Sequence, residues 1–496
     1  MWAWLLFGAV DFVIRIVALG VVPKRRRAST STAWLLLIFL WPLLGVPLYI
    51  IFGSWWAMGR RLDDDPEASA LVDTILAGSA RPEPTTYDAP DGNDGDAAAL
   101  MRLTGALSGF PDSCGHVVAL HNDTAETFRQ MAASIDRATH HVNALYFQTS
   151  WDEYTAPFYE ALERAKARGV TVRLLVDHHG LRTIPGHKAF RRRLDDMGIL
   201  WHKMLPFAPL RGHIRRPDLR NHRKILVVDG REAYIGSHNL VAPDYDTPSF
   251  QKAGITYDDT SVSLTGSIVT QIEAVFALDW YYASREVLTP ADLTPPTTRE
   301  KDTREKEAAD EAPASSMQII PSGPAFRDEP NLRAFVHMVS SARSHVSIAS
   351  PYFIPDEALI AALTNAALSG VEVELFLSEQ FDQFLVGHAQ RSYYGMLLAA
   401  GVRIHLYRKP TMLHSKYVVV DGSLCAIGSS NMDVRSFGLN YEITLVADDA
   451  RLVELLHGND ERNRARSREL TYEEWRDQPW HVHYVDNVCR LWSSLL

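Results

Sequence analysis

Two long apolar stretches open the chain, Trp2 to Val22 and Ala33 to Phe52. Each is close to the ~20 residues that a helix needs to cross the hydrocarbon core of a bilayer. The pattern predicts a two-helix transmembrane hairpin over 1–55, turned by Pro23 and the basic run Lys24-Arg25-Arg26-Arg27, with tryptophans near the span ends. Asp11 and Arg15 stand four residues apart inside the first span, on one helical face where each can neutralise the other. The loop carries more positive charge than Arg60 and Arg61 beyond the second span, so the positive-inside rule puts the loop in the cytoplasm and the rest of the chain outside.

From His116 the periodicity changes to short β-rich runs alternating with amphipathic helical stretches: His141 to Phe147, Tyr154 to Arg168, then Val170 to Asp177. This order predicts α/β architecture, a largely parallel or mixed sheet with helices on its faces. The second half repeats it, with His345 to Ile348, Pro355 to Ser369 and Val371 to Leu377. We therefore expect a hairpin over 1–55, a connector over 56–115 with one short helix near Ala68 to Ala77, a first α/β domain over 116–288 and a linker over 289–317. A second α/β domain over 318–470 and an amphipathic tail over 471–496 complete the chain. The linker, with Thr294-Pro295-Pro296 and the charged run Arg299 to Glu311, has too few apolar residues to pack.

Composition changes this picture in one respect. The net charge of -10 is unevenly placed: residues 63–100 hold ten acids against Arg81, and residues 289–317 hold seven acids against four bases. The two α/β units are thus close to neutral overall. Between Arg182 and Lys224 twelve Lys or Arg face only Asp195, Asp196 and Asp218, a region suited to phosphate-bearing ligands, although Arg191, Arg192 and Arg193 also read as a solvated helix face. The three cysteines, Cys114, Cys425 and Cys489, are far apart and indicate neither a disulfide framework nor a zinc cluster.

One pattern occurs twice without a gap. His222-Arg223-Lys224, Asp229-Gly230 and Gly236-Ser237-His238-Asn239 match His414-Ser415-Lys416, Asp421-Gly422 and Gly428-Ser429-Ser430-Asn431, so both halves read H-x-K-x4-D-x6-G-S-x-N. Residues two apart on a strand share a face, so each half should project one imidazole and one ammonium together. The Asp-Gly pairs would turn a hairpin that returns Asn239 and Asn431 toward the histidines.

Displacement at a phosphodiester needs a nucleophile, a proton donor for the departing alkoxide, and cationic or hydrogen-bonding groups on the non-bridging oxygens. Two histidines, two lysines and two asparagines supply that set without a metal or cofactor. A nucleophilic imidazole must also keep one tautomer, usually through a carboxylate on its other nitrogen. Glu442 and Asp259, each near the start of the strand after its motif, are candidates for that role, and exposed strand-end acids are the alternative. His178-His179 and His238 lack the spacing of a metal site.

The paired motifs resemble the HKD motifs of the phospholipase D superfamily. Within it, the two-span start with Asp11-Phe12 and Arg15, Ser350-Pro351-Tyr352-Phe353-Ile354-Pro355-Asp356, Arg391-Ser392-Tyr393-Tyr394, Asn431-Met432-Asp433-Val434-Arg435-Ser436-Phe437 and Tyr472-Glu473-Glu474-Trp475 resemble bacterial cardiolipin synthases. The resemblance implies two pseudo-twofold-related α-β-α domains, one active site between them and a phosphohistidine intermediate. It makes His222, Lys224, Asp229, His414, Lys416 and Asp421 the catalytic set, supported by Asn239, Asn431, Ser237, Ser429, Glu442 and Asp259. It further implies a phosphatidylglycerol substrate and location in the bacterial cell membrane; nucleases of the superfamily share the motifs, but the two spans and the near-neutral α/β units argue against a nucleic-acid partner. Hydrolytic phospholipase D and an inactive lipid-binding protein are the competing expectations. The tail, with Trp475, Trp480, Tyr484, Val488, Leu491 and Trp492, fits either an interfacial helix or a packed one.

Overall fold

The computed structural model describes residues 2–24, 28–54, 58–59, 61–77, 95–207, 215–294 and 314–491. The basic loop residues Arg25, Arg26 and Arg27, Arg60, residues 78–94 of the connector, residues 295–313 of the charged linker, and Trp492 lie outside these residues.

At the N-terminus the first apolar stretch is one helix, Trp2–Val21, in which Arg15 and Asp11 pair at 2.9 Å. The second divides: a helix Ala28–Leu40 stops at Trp41, Pro42 begins another that runs to Leu48, and a π-turn, Tyr49–Gly53, follows. A proline lacks the N–H that would continue the helix through this point, so the break falls where its ring sits. Among the described residues no helix is long and apolar enough to cross a membrane.

In the first half, His141–Tyr146 pairs in parallel with Thr171–Asp177, and the helix Ala156–Ala167 crosses between them. Every residue of His141–Tyr146 is buried, as for a strand covered on both faces. The motif then supplies an antiparallel hairpin, Ile225–Val228 with Glu232–Gly236, turned through Asp229 and Gly230, both at positive φ. The second half repeats the design with His345–Ala349 parallel to Glu372–Ser378 and a hairpin of Tyr417–Val420 with Leu424–Gly428. Each half is a mixed sheet flanked by helices, as the alternation predicts.

The halves are not merely tethered. Ser113–Gly115 pairs antiparallel with Ser315–Met317, so the strands Ser113–His121 and Ser315–Ser322 fuse both sheets into one of sixteen strands among the described residues. Two helices from the expected connector reinforce the seam. Pro66–Leu76 packs on the almost wholly buried helix Ile268–Ser284. Asp96–Ser108 packs on Pro330–Ser341, and Gln318 of the fused strand donates to the carbonyls of Phe110 and Met101. Shifting one half against the other would expose this ladder and the apolar seam together.

Candidate active site

The motif histidines do not lie within the long strands. Each follows a very short strand that reaches into the opposite half. Arg220–Asn221 pairs in parallel with Asn440–Tyr441, Asn221 opposite Tyr441, and Thr411–Leu413 pairs in parallel with Thr256–Asp258, Leu413 opposite Asp258. One more step along each register sets His222 beside Glu442 and His414 beside Asp259. The backbone continues the ladders, His222 N–H donating to the Tyr441 carbonyl at 2.9 Å and His414 N–H to the Asp258 carbonyl at 2.8 Å.

Both carboxylates therefore serve the histidine of the other half. Nδ1 of His222 meets Glu442 Oε2 at 3.1 Å and the Ser429 carbonyl at 3.2 Å, and Nδ1 of His414 meets Asp259 Oδ1 at 2.5 Å. With Nδ1 engaged by a carboxylate, Nε2 of each ring is the free nitrogen. An aromatic ring stands edge-on against each imidazole at 5.2 Å, Phe147 at His222 and Tyr257 at His414. Burial lowers the pKa of both histidines, that of His414 to about 3, so both rest as neutral imidazoles. Burial works against ionisation of Glu442 and Asp259, but the neighbouring imidazoles and lysines outweigh it and hold both carboxyls below their usual range.

Lys224 and Lys416 are buried, and each Nζ donates back to the carbonyl of its own motif histidine, at 2.6 and 2.5 Å. Burial lowers both lysines, Lys416 to about 8, against the opposing pull of Asp259 and Glu442. Ser429 donates to Glu442 at 2.5 Å, whereas Ser237 donates to the Thr260 carbonyl at 3.1 Å. Both serines also accept the backbone N–H after the orienting carboxylate, from Ile443 and Thr260. The preceding glycine allows this approach: a Cβ on Gly428 would lie 2.2 Å from the Ile443 carbonyl oxygen, and one on Gly236 would lie 2.5 Å from that of Thr260. The two serines thus brace the segments that carry Glu442 and Asp259. Asn239 donates to the Tyr245 hydroxyl at 2.9 Å, while Asn431 Oδ1 is buried without a partner among the described residues, and both asparagines line the cavity described below.

Asp229 and Asp421, expected in the catalytic set, are occupied by backbone at the far ends of their hairpins. Asp229 accepts from the backbone N–H groups of Thr139, His140 and His141 and from the Thr139 hydroxyl, all within 2.9 Å. Asp421 does the same with Arg343, Ser344 and His345. Each lies at the far end of its four-residue strand, about 16 Å from the lysine at ~3.3 Å per residue. Their carboxylates clamp the turn into the neighbouring parallel strand.

His222 and His414 line one cavity of about 550 Å³ between the halves, together with Asn239 and Asn431. Its remaining wall includes Arg220, Arg435, Tyr245, Tyr257, Tyr352 and Asp382, of which Tyr245, Tyr257 and Asp382 lay outside every stretch singled out in the sequence. Tyr352 donates to Asp382 at 2.8 Å and Tyr257 at 3.3 Å. His179 also lines the cavity, whereas His238 is buried on Ser261 at 2.8 Å. A further residue escaped sequence reading. Arg223, the middle position of H-x-K, points away from the cavity, fully buried, where it donates to Asp279 at 2.6 Å and to the Glu442 carbonyl at 3.0 Å. The only signal was its alternation with two catalytic-face neighbours.

A family model described as "Cardiolipin synthase, PLD-like domain" matches residues 131–280 and 335–461, and one described as "Phospholipase D-nuclease N-terminal" matches residues 13–54. The cardiolipin synthase of Halalkalibacterium halodurans is 31% identical over 509 residues, covering 100% of this chain and 95% of its own. Cardiolipin synthase A of Erwinia tasmaniensis is 30% identical over 495 residues, covering 100% and 98%. The crystal structure of phosphatidylserine synthase from Haemophilus influenzae Rd KW20 shares the fold, with a TM-score of 0.57 and 14% identity over 81% of this chain and 100% of that one.

Proposed function

The chain belongs to the cardiolipin synthase family of phospholipase D-like phosphatidyltransferases, and on that premise we propose that it moves a phosphatidyl group from one phosphatidylglycerol to another, giving cardiolipin and glycerol. What supports this reading is the meeting of His222 and His414, one from each half, on one cavity with both Nε2 atoms free.

In the first step Nε2 of one imidazole attacks phosphorus while the bond from phosphorus to the glycerol oxygen breaks. The other imidazole, neutral at rest, takes up a proton at Nε2 from solvent as the anionic phosphodiester docks beside it, and gives that proton to the departing alkoxide. In the second step the now neutral imidazole takes the proton from the free headgroup hydroxyl of a second phosphatidylglycerol. That oxygen attacks phosphorus and releases the first imidazole. Glu442 and Asp259 hold Nδ1–H throughout and stabilise the imidazolium. Lys224, Lys416, Asn239 and Asn431 oppose the charge that grows on the non-bridging oxygens. Asp229 and Asp421 act indirectly, by holding the hairpins behind the histidines.

The N-terminal segment anchors the enzyme in the bacterial cell membrane. Its helices expose Phe12, Ile16, Leu36, Leu40 and Leu43, a surface that lipid accommodates and water does not. Incubation of the detergent-purified protein with labelled phosphatidylglycerol tests the reading. Cardiolipin and free glycerol are expected, and His222→Ala or His414→Ala should abolish both. Phosphatidic acid as the sole product would replace it with a hydrolytic phospholipase D.

A further inference from the structure

The C-terminal helix Trp480–Arg490 resolves the two expectations for the tail, because it is packed on one side and open on the other. It lies along the helix Phe384–Arg391 and is locked there by Asp486, which is 2% exposed and takes His388 at 2.6 Å and Arg391 at 3.2 Å. Asp486 is the only carboxylate between Trp480 and Arg490, and it is turned inward and neutralised. The outer face carries Trp480, Tyr484, Val488 and Leu491, of which Trp480 is 78% and Leu491 79% exposed. Arg490 is exposed beside them. The neighbouring helix adds Phe384 and Leu385, also exposed, and its first turn reaches the active site: Gln383, just before the helix, and Val386 line the cavity that holds both histidines.

We infer that this two-helix face is a docking surface for an anionic phospholipid bilayer, seated at the mouth of the catalytic cavity and separate from the N-terminal anchor. Three observations favour a lipid surface as the occupant. The apolar side chains recur at i, i+4, i+8 and i+11, the stripe of a helix lying in an interface. Aromatic and aliphatic groups are flanked by arginine with no outward carboxylate on the tail helix, which suits anionic headgroups. The patch is continuous with a cavity whose substrate, on the function proposed above, carries acyl chains too long for about 550 Å³ to enclose. Docking here would let the headgroup enter while the chains remain in the bilayer.

The inference rests on that function for its kinetic test but not for its physical one. In the full-length protein, Trp480→Ser combined with Leu491→Ser should lower kcat/KM on phosphatidylglycerol vesicles about tenfold or more, since partitioning scales with buried apolar area. Turnover of monomeric dihexanoyl-phosphatidylglycerol should stay unchanged. An equal loss on both substrates, or no loss on vesicles, would overturn the proposal. Independently of turnover, brominated phosphatidylglycerol vesicles should quench the wild type more than Trp480→Phe, the difference isolating Trp480 from the other tryptophans. Equal fractional quenching would overturn the docking surface. If no transfer occurs with either substrate, the proposed function fails while the quenching comparison still decides this one.

Discussion

Replacing Asp259 by asparagine perturbs the site at one of its shortest contacts. The amide keeps the volume of the carboxylate but removes its charge, and its Nδ2–H groups donate where the carboxylate accepted. His414 Nδ1, now 2.5 Å from Asp259 Oδ1, would be driven to accept, which leaves the proton on Nε2 and removes the lone pair needed at phosphorus. At about 4 Å between charge centres and an effective dielectric of about 20, the lost pairing with a developing imidazolium is worth about 4 kcal/mol, or about a thousandfold in rate. The pH profile should move as well. Asp259 is the first charge that holds Lys416 up, near 8, against burial. Without it the ammonium loses its proton at lower pH, so an alkaline limb set by Lys416 shifts acidward. The assay is transfer of labelled phosphatidylglycerol in mixed micelles across about pH 6 to 9, bracketing that titration, with melting curves to confirm folding. A variant within about tenfold of wild type and with an unmoved limb would refute the cross-half orientation of His414.

Three further outcomes follow from the same geometry. Asp229→Ala should cost about 2–4 kcal/mol of stability, since it strands three backbone donors. Denaturant titration would measure that loss, while kcat per folded molecule should be little changed, unlike a catalytic aspartate. Arg223→Ala leaves Asp279 charged and buried and should destabilise by about 3–5 kcal/mol, whereas Arg223→Met with Asp279→Leu should recover most of it in the same titration. Inhibition by inorganic phosphate should weaken as pH rises past about 8, where Lys416 loses its charge, and Lys416→Met should remove that dependence in an inhibition series.

Much of this was legible in the residues because it is local. The recurrence of strand, helix and strand is written in hydrophobic periodicity, and the observed Ala156–Ala167 and Glu357–Leu368 lie within the stretches it marked. The spacing of H-x-K, the Asp-Gly turn and the returning Gly-Ser-x-Asn is covalent, so the hairpins follow from it directly. The same spacing also sets where Asp229 and Asp421 stand. A four-residue strand separates each from its lysine, and strand rise alone puts them at opposite ends. The apolar character of 33–52 was equally plain, but the proline inside it broke the helix that mean hydropathy suggested.

What the linear chain determined by itself was the duplicated α/β units, the repeated chemical groups and two candidate acids to orient the histidines. Only the tertiary structure decided that Asp259 serves His414 and Glu442 serves His222, because each pairing is the next rung of a parallel ladder between segments more than a hundred residues apart. A register between halves is set by the fused sheet and its packing, which no local pattern encodes. Likewise, Arg223 became a buried brace only once the opposite half brought the Glu442 carbonyl to meet it.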